Sequence, residues 1–215
     1  MTSHYPAPLE QPSHPLDHWL DPELTRLSPP NSPSRLRQLA DAQGTLAAGW
    51  SSAIGTGPLL LLAGGFTTAM TGNPAAVLVL GILGAALLAL GLLFWKRTRS
   101  VLPDTSRTLV SRGPGSARGG LVMAAVLAVL LGGILAAAAP GIASRGVGTA
   151  TGLAGAYILF VLLLVTCIVI PSSVLGRARE SFRRRAQPGQ PLRAALEADL
   201  ATWRDPVGNA SYGPL

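Results

Sequence analysis

The sequence predicts an all-α integral membrane protein: four transmembrane helices arranged as two hairpins, with short cytoplasmic amphipathic helices and a disordered N-terminal tail. Of its 215 residues 48% are hydrophobic and only 13% are charged, about half the charged fraction of a soluble domain. Four apolar stretches contain no Asp, Glu, Lys, Arg or His. Because each approaches the roughly 20 residues that cross a hydrocarbon core, we expect each one to span the bilayer.

Residues 1–47 are predicted to form a cytoplasmic arm. Prolines crowd the part before Ser34 and favour an extended, mostly disordered tail. From Ser34 onward leucines recur at helical spacing, so a short amphipathic helix capped by Ser34 is expected at the membrane surface. The arm lacks the apolar core and the cleavage site of a signal peptide, and we expect the chain to retain it.

The membrane domain is predicted over residues 48–171. Asn73 fits a helix N-cap followed by proline at the first helical position, which favours a tight connection between the first two spans. The first apolar stretch has a short apolar centre diluted by Ser and Thr. If it does not span, three spans remain and the N-terminus lies outside. The predicted spans are 48–70, 74–95, 119–140 and 150–171, with a basic cytoplasmic loop at 96–118.

The distribution of basic residues predicts the orientation. Six lie in residues 96–118 and seven in 172–215, whereas 71–73 has none and 141–149 has one. The positive-inside rule therefore places both termini in the cytoplasm. Sixteen arginines against one lysine indicate a GC-rich coding sequence, and we expect the bacterial cytoplasmic (inner) membrane. Despite a net charge of +7, nucleic-acid binding is not expected, because the basic residues bracket apolar stretches.

The basic tail, residues 172–215, is predicted to contain an amphipathic helix at about 191–204. Its apolar stripe fits a docking helix or a helix that merely caps the protein. The basic run 181–185 is expected to signal topology or to contact anionic lipid. Tryptophans and arginines near the ends of apolar stretches are typical of membrane interfaces. The residues expected there are Trp50, Trp95, Arg97, Arg177, Arg183 and Trp203.

Small residues recur at four-residue spacing within the spans. Such a ridge lets helix backbones approach closely, either inside the bundle or against a partner. The residues expected to pack helices are Gly81, Ala85 and Ala89 in the second span, Ala124, Ala128, Gly132 and Ala136 in the third, and Gly148, Gly152 and Ala156 leading into the fourth.

No catalytic, metal or cofactor site is predicted, since no nucleophile, base and orienting group converge. His14 and His18 have metal-ligand spacing, but Pro15 stands inside that turn. The sequence favours a non-enzymatic accessory, assembly or scaffold subunit of a bacterial membrane complex, whose partners are the lipid bilayer and a membrane protein or a second copy. The alternative is a passive pore, holin-like protein or small-solute transporter. Its polar lining would come from Ser51, Ser52, Thr56, Thr67, Thr68, Tyr157 and Thr166.

Overall fold

The computed structural model describes residues 14–29, 32–104, 114–188, 190–204 and 211–215, and the regular structure in these ranges is helical. Four helices are long and apolar enough to cross a membrane, which confirms the prediction of an all-helical chain with four helices of that kind. In order, the elements are α1 (Leu16–Trp19), α2 (Pro22–Leu27), α3 (Arg35–Thr71), α4 (Ala75–Ser100), α5 (Ala117–Ala143), α6 (Val147–Leu164), a π-helical turn (Val165–Val169), α7 (Ile170–Gly176), α8 (Ala178–Arg185) and α9 (Pro191–Thr202).

Helix α3 joins the predicted surface helix and the first apolar stretch into one element of 37 residues. Ser34 caps its start by accepting a hydrogen bond from the Arg37 N–H, and Gly72 ends it at φ 71°. At 1.5 Å per residue α3 is about 56 Å long, well beyond the roughly 30 Å of a hydrocarbon core. The later turns of α3 are long enough to cross the apolar layer, and its first turns therefore extend beyond that layer.

Helices α3 and α4 run antiparallel in close contact, because glycines replace side chains where the backbones meet. A Cβ atom at Gly57 would lie 2.6 Å from the Gly84 carbonyl oxygen, and one at Gly64 would lie 2.9 Å from the Val77 Cα. Near the other end of α4, a Cβ at Gly91 would lie 2.9 Å from the Ile54 Cγ1. Close contact of this kind is how membrane helices gain dispersion energy without a hydrophobic driving force.

The segment from α6 to α7 packs on the side of α3 opposite α4, and it also contacts α5. Gly55 of α3 faces Thr166, and Gly152 faces the Met70 side chain. On the α5 side, the Tyr157 hydroxyl donates a 3.0 Å hydrogen bond to the Ala128 carbonyl oxygen. Helix α3 is therefore the central element of the bundle, with α4 on one side and the α6–α7 segment on the other.

A π-helical turn interrupts the last long helix at Val165–Val169 and ends two residues before Pro171. Proline has no N–H to donate to the carbonyl four residues earlier, and its ring crowds that carbonyl. The wider turn relieves this crowding, and the Ile170 N–H bonds to the Val165 carbonyl five residues back. The helix thus continues through the proline instead of ending there.

The two ends of the chain fold together into what we call the terminal module: α1, α2, residues 34–43 of α3, α8, α9 and residues 211–215. Leu16 and Leu20 are buried in its apolar core, together with side chains from α3, α8 and α9. The expectation of disorder is therefore wrong for residues 14–29, because these leucines find a non-local core that the local proline content conceals. Residues 1–13 lie outside the described part of the chain.

The outer faces of α4 and α5 carry large exposed apolar side chains. Ile82 is 70% exposed and Val129 is 72% exposed. Water would penalise such a surface, whereas a hydrocarbon layer would cover it without cost. The exposed side chains suit helices that face lipid.

Candidate functional site

The terminal module is the part of the described structure in which charged and polar side chains converge. Its core includes Leu36, Phe182, Leu196 and Leu215, all at 0% exposure. These side chains come from α3, α8, α9 and the last five residues. A small apolar core thus holds four separate segments at the start of α3.

Residues 211–215 cap the beginning of α3. The first N–H groups of an α-helix have no partner within the helix. Here the Arg35 N–H donates to the Ser211 carbonyl at 3.0 Å, and the Leu36 N–H donates to the Tyr212 carbonyl at 2.9 Å. The Ser34 hydroxyl donates to the Pro214 carbonyl at 3.0 Å. The end of the chain therefore supplies hydrogen-bond partners that the helix start requires.

Cross-element ion pairs reinforce the module. Arg35 of α3 pairs with Asp199 of α9 at 2.9 Å, and both side chains are less than one-fifth exposed. Asp17 of α1 pairs with Arg193 of α9 at 2.8 Å. This hydrogen bond lowers the pKa of Asp17 and raises the pKa of Arg193. The Arg35–Asp199 pair is more sheltered from water than the Asp17–Arg193 pair. Solvent and salt therefore screen less of its electrostatic attraction.

Tyr212 anchors the final segment in the core. Its hydroxyl donates a 3.0 Å hydrogen bond to the Leu196 carbonyl, and its ring meets Trp203 edge-on with centroids 5.9 Å apart. Burial, followed by the nearby Asp199 carboxylate, raises the pKa of Tyr212. The phenol is therefore held as a neutral hydrogen-bond donor.

Two long side chains from the module cap the end of α4. The Gln43 amide donates to the Thr98 carbonyl at 2.8 Å and to the Val101 carbonyl at 3.2 Å. Arg185 donates to the Arg99 carbonyl at 3.2 Å. Burial and the Arg99 charge lower the pKa of Arg185 to about 10, which leaves the guanidinium charged at neutral pH. Cations and donors at a helix C-terminus satisfy its last carbonyls.

The expected interface residues occupy three kinds of environment. Trp50 stacks on Phe94 with centroids 4.6 Å apart, and Trp95 lies under the Arg99 guanidinium. Arg97 and Arg177 are exposed. Trp203 and Arg183 instead contact the module, where Arg183 donates to the Thr25 hydroxyl and to the Leu215 main-chain oxygen. Contacts within the protein therefore engage these last two residues.

The small residues expected to pack helices divide into contacting and exposed sets. Ala124 is buried, Ala128 accepts the Tyr157 hydroxyl, and Gly132 lies against that same side chain. Two others are half-buried in helix contacts: Gly81 beside Leu61 and Gly152 beside Met70. The exposed members are Ala85, Ala89, Ala136, Gly148 and Ala156.

Helices α3 and α4 are closest at glycines that are not separated by four residues. Gly57 and Gly64 are seven residues apart on α3, and Gly84 and Gly91 are seven apart on α4. Seven residues are about two helical turns, so each pair lies on one helix face. A search for glycine at this interval would have found both pairs.

Three of the hydroxyl groups in the spans donate to main-chain carbonyls of their own helix, and Thr56 instead lies 3.8 Å from the Cys167 Sγ. Ser51 donates to Ala48, Thr67 donates to Ala63, and Thr166 donates to Leu163. Local bonds of this kind are the usual way in which Ser and Thr satisfy themselves in a membrane helix. Ser51, Thr67 and Thr166 therefore use their hydroxyl protons within their own helices.

No cluster of metal-ligating side chains forms among the described residues. No group of three or more His, Cys, Asp or Glu side chains converges there. The His14 and His18 rings lie 4.3 Å apart beside Trp19, and α1 begins only after Pro15. No family model, curated protein or solved structure matches the chain. The fold and the terminal module are therefore the basis for assigning a function.

Proposed function

We propose that this chain is a non-enzymatic multi-pass membrane protein that acts by contact, as an accessory, assembly or scaffold subunit of a bacterial membrane complex. The observation that carries the proposal is the terminal module, a folded polar body built directly on the longest apolar helix. Its charged surface suits contacts with another protein.

The module is coupled to the bundle at several points. Helix α3 runs from the module into the bundle without a break. A Cβ at Gly44 would overlap the Ala178 side chain, so α3 and α8 are in tight contact. Gln43 and Arg185 hold the end of α4. A partner that moves the module therefore also moves α3 and α4.

We further propose that the four long helices insert as two hairpins in the bacterial cytoplasmic membrane, with both termini in the cytoplasm. Two short connections support this arrangement, one at residues 72–74 and one at 144–146. Lys96, Arg97, Arg118 and Arg177 all lie at the ends of helices that would face the cytoplasm, whereas Arg145 lies at the opposite end.

The alternative of a passive pore is less well supported. A water path needs polar groups that are free to bind water, and the Ser51, Thr67 and Thr166 hydroxyls donate instead to the protein's own carbonyls. The Tyr157 hydroxyl is likewise bonded to α5. These bonds favour a packed bundle over a lumen.

The test is a pull-down of the chromosomally tagged full chain in mild detergent, measured by quantitative mass spectrometry. The tag belongs at the N-terminal end, because Leu215 is fully buried in the module. We expect a membrane protein to be recovered in stoichiometric amounts. Recovery of the chain alone, or only with itself, would refute the accessory-subunit proposal and direct attention to flux assays in liposomes.

A matched pair of variants locates the contact. Leu27 is 83% exposed on the module, and Val147 is 84% exposed at the other end of the bundle. Replacing Leu27 with Asp should reduce recovery of the partner if the partner binds the module's outer face. Val147→Asp should have no such effect, and equal recovery with both variants would place the contact elsewhere.

A further inference from the structure

A cleft of about 270 Å³ opens between α3, α5 and α7. Most of the described side chains that line it are apolar, among them Ala48, Met123 and Ile168, and none of them carries a charge. Met123 and Cys167 are exposed, so the cleft opens sideways onto the outer surface of the bundle. Because an ionic group would find no opposite charge on these walls, the cleft favours a neutral occupant.

The wall formed by the π-helical turn and α7 contains a carbonyl without its usual donor. In an α-helix the Cys167 carbonyl would accept from the N–H four residues later, but that residue is Pro171, which has no N–H. The N–H before it, on Ile170, bonds five residues back. The N–H after it, on Ser172, belongs to α7, where its α-helical partner is the carbonyl four residues back. None of these three positions therefore donates to Cys167.

This carbonyl lies on the side of the helix that forms the cleft. Residues four apart share a helix face, and the carbonyl of the first points along the axis toward the second. Both Cys167 and Pro171 line the cleft. A carbonyl without a donor is costly in apolar surroundings, so an occupant that supplies a donor is stabilised there.

Two hydroxyl oxygens in the cleft are also acceptors. The Thr45 hydroxyl donates its proton to the Asp41 carbonyl at 2.9 Å, and the Ser172 hydroxyl donates to the Ile168 carbonyl at 2.6 Å. Each oxygen keeps lone pairs, and no donor in the described part of the chain is bonded to either. The Cys167 thiol is only a weak donor. The occupant must therefore bring the hydrogen-bond donor.

The size and position of the cleft suit one end of a lipid. Small-molecule pockets usually enclose about 300–1,000 Å³, and this cleft is smaller. Leu127 and Leu130 follow Met123 at helical spacing on α5, and both are exposed. An apolar chain that leaves the cleft at Met123 can therefore continue along the outer face of α5.

We propose that this cleft binds a neutral membrane lipid through a hydroxyl group, which donates to the Cys167 carbonyl while the apolar chain follows Met123 and the outer face of α5. The proposal requires that the long helices lie in a membrane, but it does not depend on the accessory-subunit role. Phosphatidylcholine has no hydrogen-bond donor in its headgroup, so the cleft should discriminate against it.

The first test measures the reaction of Cys167, the single cysteine, with N-ethylmaleimide in the full chain in detergent. The ligand is 1-dodecanol, and dodecyl methyl ether is the control with the same chain and oxygen but no donor. Dodecanol should protect the thiol at about fivefold lower concentration than the ether, the effect of one ordinary hydrogen bond. Glycerol, which has hydroxyls without a chain, should not protect it.

Three outcomes of this test would overturn the proposal. Equal protection by the ether would show that no hydrogen bond forms. Protection by glycerol would show that the cleft does not select an apolar chain. Failure of dodecanol to protect the thiol would show that the lipid does not enter the cleft.

A proline variant tests the role of the carbonyl. Pro171→Ala supplies an N–H for Cys167 and should abolish the preference for dodecanol over the ether. Pro58→Ala is the matched control, because Pro58 also lies inside a long helix but is exposed and does not line the cleft. Comparing two ligands within one variant cancels any change in thiol reactivity. A preference that survives in Pro171→Ala, or that is lost in Pro58→Ala, contradicts the proposal.

The final test observes the carbonyl directly and needs no variant. Because the chain has one cysteine, cysteine labelled with ¹³C at its carbonyl marks Cys167 alone. In the infrared spectrum, dodecanol should lower the frequency of the labelled carbonyl band, and the ether should leave that band in place. An unchanged band would refute the hydrogen bond even if dodecanol protects the thiol.

Discussion

Gly57 and Gly84 face each other where α3 and α4 are closest, and neither position has room for a side chain. A Cβ at Gly84 would overlap the Gly57 carbonyl oxygen, whereas the next residue, Ala85, is exposed. Gly84→Leu should therefore destabilise the protein in detergent by about 1–3 kcal/mol, as overpacking does elsewhere. Ala85→Leu should change stability by less than about 0.5 kcal/mol. Thermal unfolding of both variants measures the difference, and equal stabilities would contradict the close contact.

These residues also show that amino-acid composition does not reveal which glycines make close helix contacts. In a chain with 25 glycines, four-residue ridges of small side chains arise easily, and the predicted ridge of Gly81, Ala85 and Ala89 includes two exposed members. Which glycine meets a neighbouring backbone depends on the rotation of each helix about its axis. Hydropathy alone does not specify that rotation, because lipid accepts any apolar face.

Gln43 connects two elements, since it lies on α3 and donates to the last carbonyls of α4. Its amide Oε1 has no partner in the part of the chain that the structure describes, so its role there depends on the two bonds from Nε2. Gln43→Leu should lower the free energy of unfolding by about 1–2 kcal/mol, because the Thr98 and Val101 carbonyls lose this donor. Gln38→Leu is the control on the same helix, at an exposed position. Denaturant unfolding compares them, and a neutral Gln43 variant would show that the bonds contribute nothing.

The segment 211–215 acts as an element in its own right, because it caps α3 and completes the core. Tyr212 is 3% exposed, and Tyr212→Ala should free the segment by removing its anchor. Amide hydrogen exchange at Arg35 and Leu36 should then accelerate, while Gly57 in the bundle stays protected. Ser211→Ala keeps the main-chain carbonyl that α3 uses and should leave exchange unchanged. Unaltered exchange at Arg35 in the Tyr212 variant would contradict the capping role.

The sequence predicts best those elements that local patterns of residues specify. Apolar length identifies the four long helices, and Ser34 marks the start of α3 as expected. The helices also extend beyond the predicted spans, as in Ala75–Ser100 against 74–95, because helical hydrogen bonds continue past the apolar layer. The terminal module escapes prediction, since it brings Arg35 to Asp199 across most of the chain.

Across the whole molecule, the module and the bundle meet at one end of α3. The residues of the candidate site come from both termini, so no single stretch of sequence could reveal it. Leu16, Leu36, Phe182 and Leu215 each look unremarkable locally, yet together they exclude water from one core. This arrangement predicts that the N- and C-terminal segments lie on the same side of the membrane.

That prediction is tested by labelling single cysteines on intact cells in a Cys167→Ser background with a membrane-impermeant thiol reagent. With four spans and both termini in the cytoplasm, Ser144→Cys should be labelled, whereas Ser100→Cys and Gln38→Cys should react only after permeabilisation. Ser144 suits the test better than Gly72, because its φ of −64° accepts any side chain. Gln38 distinguishes the alternatives, since a first helix that did not span would expose it outside the cell. Labelling of Gln38→Cys on intact cells would support three spans, and labelling of Ser100→Cys would overturn the orientation altogether.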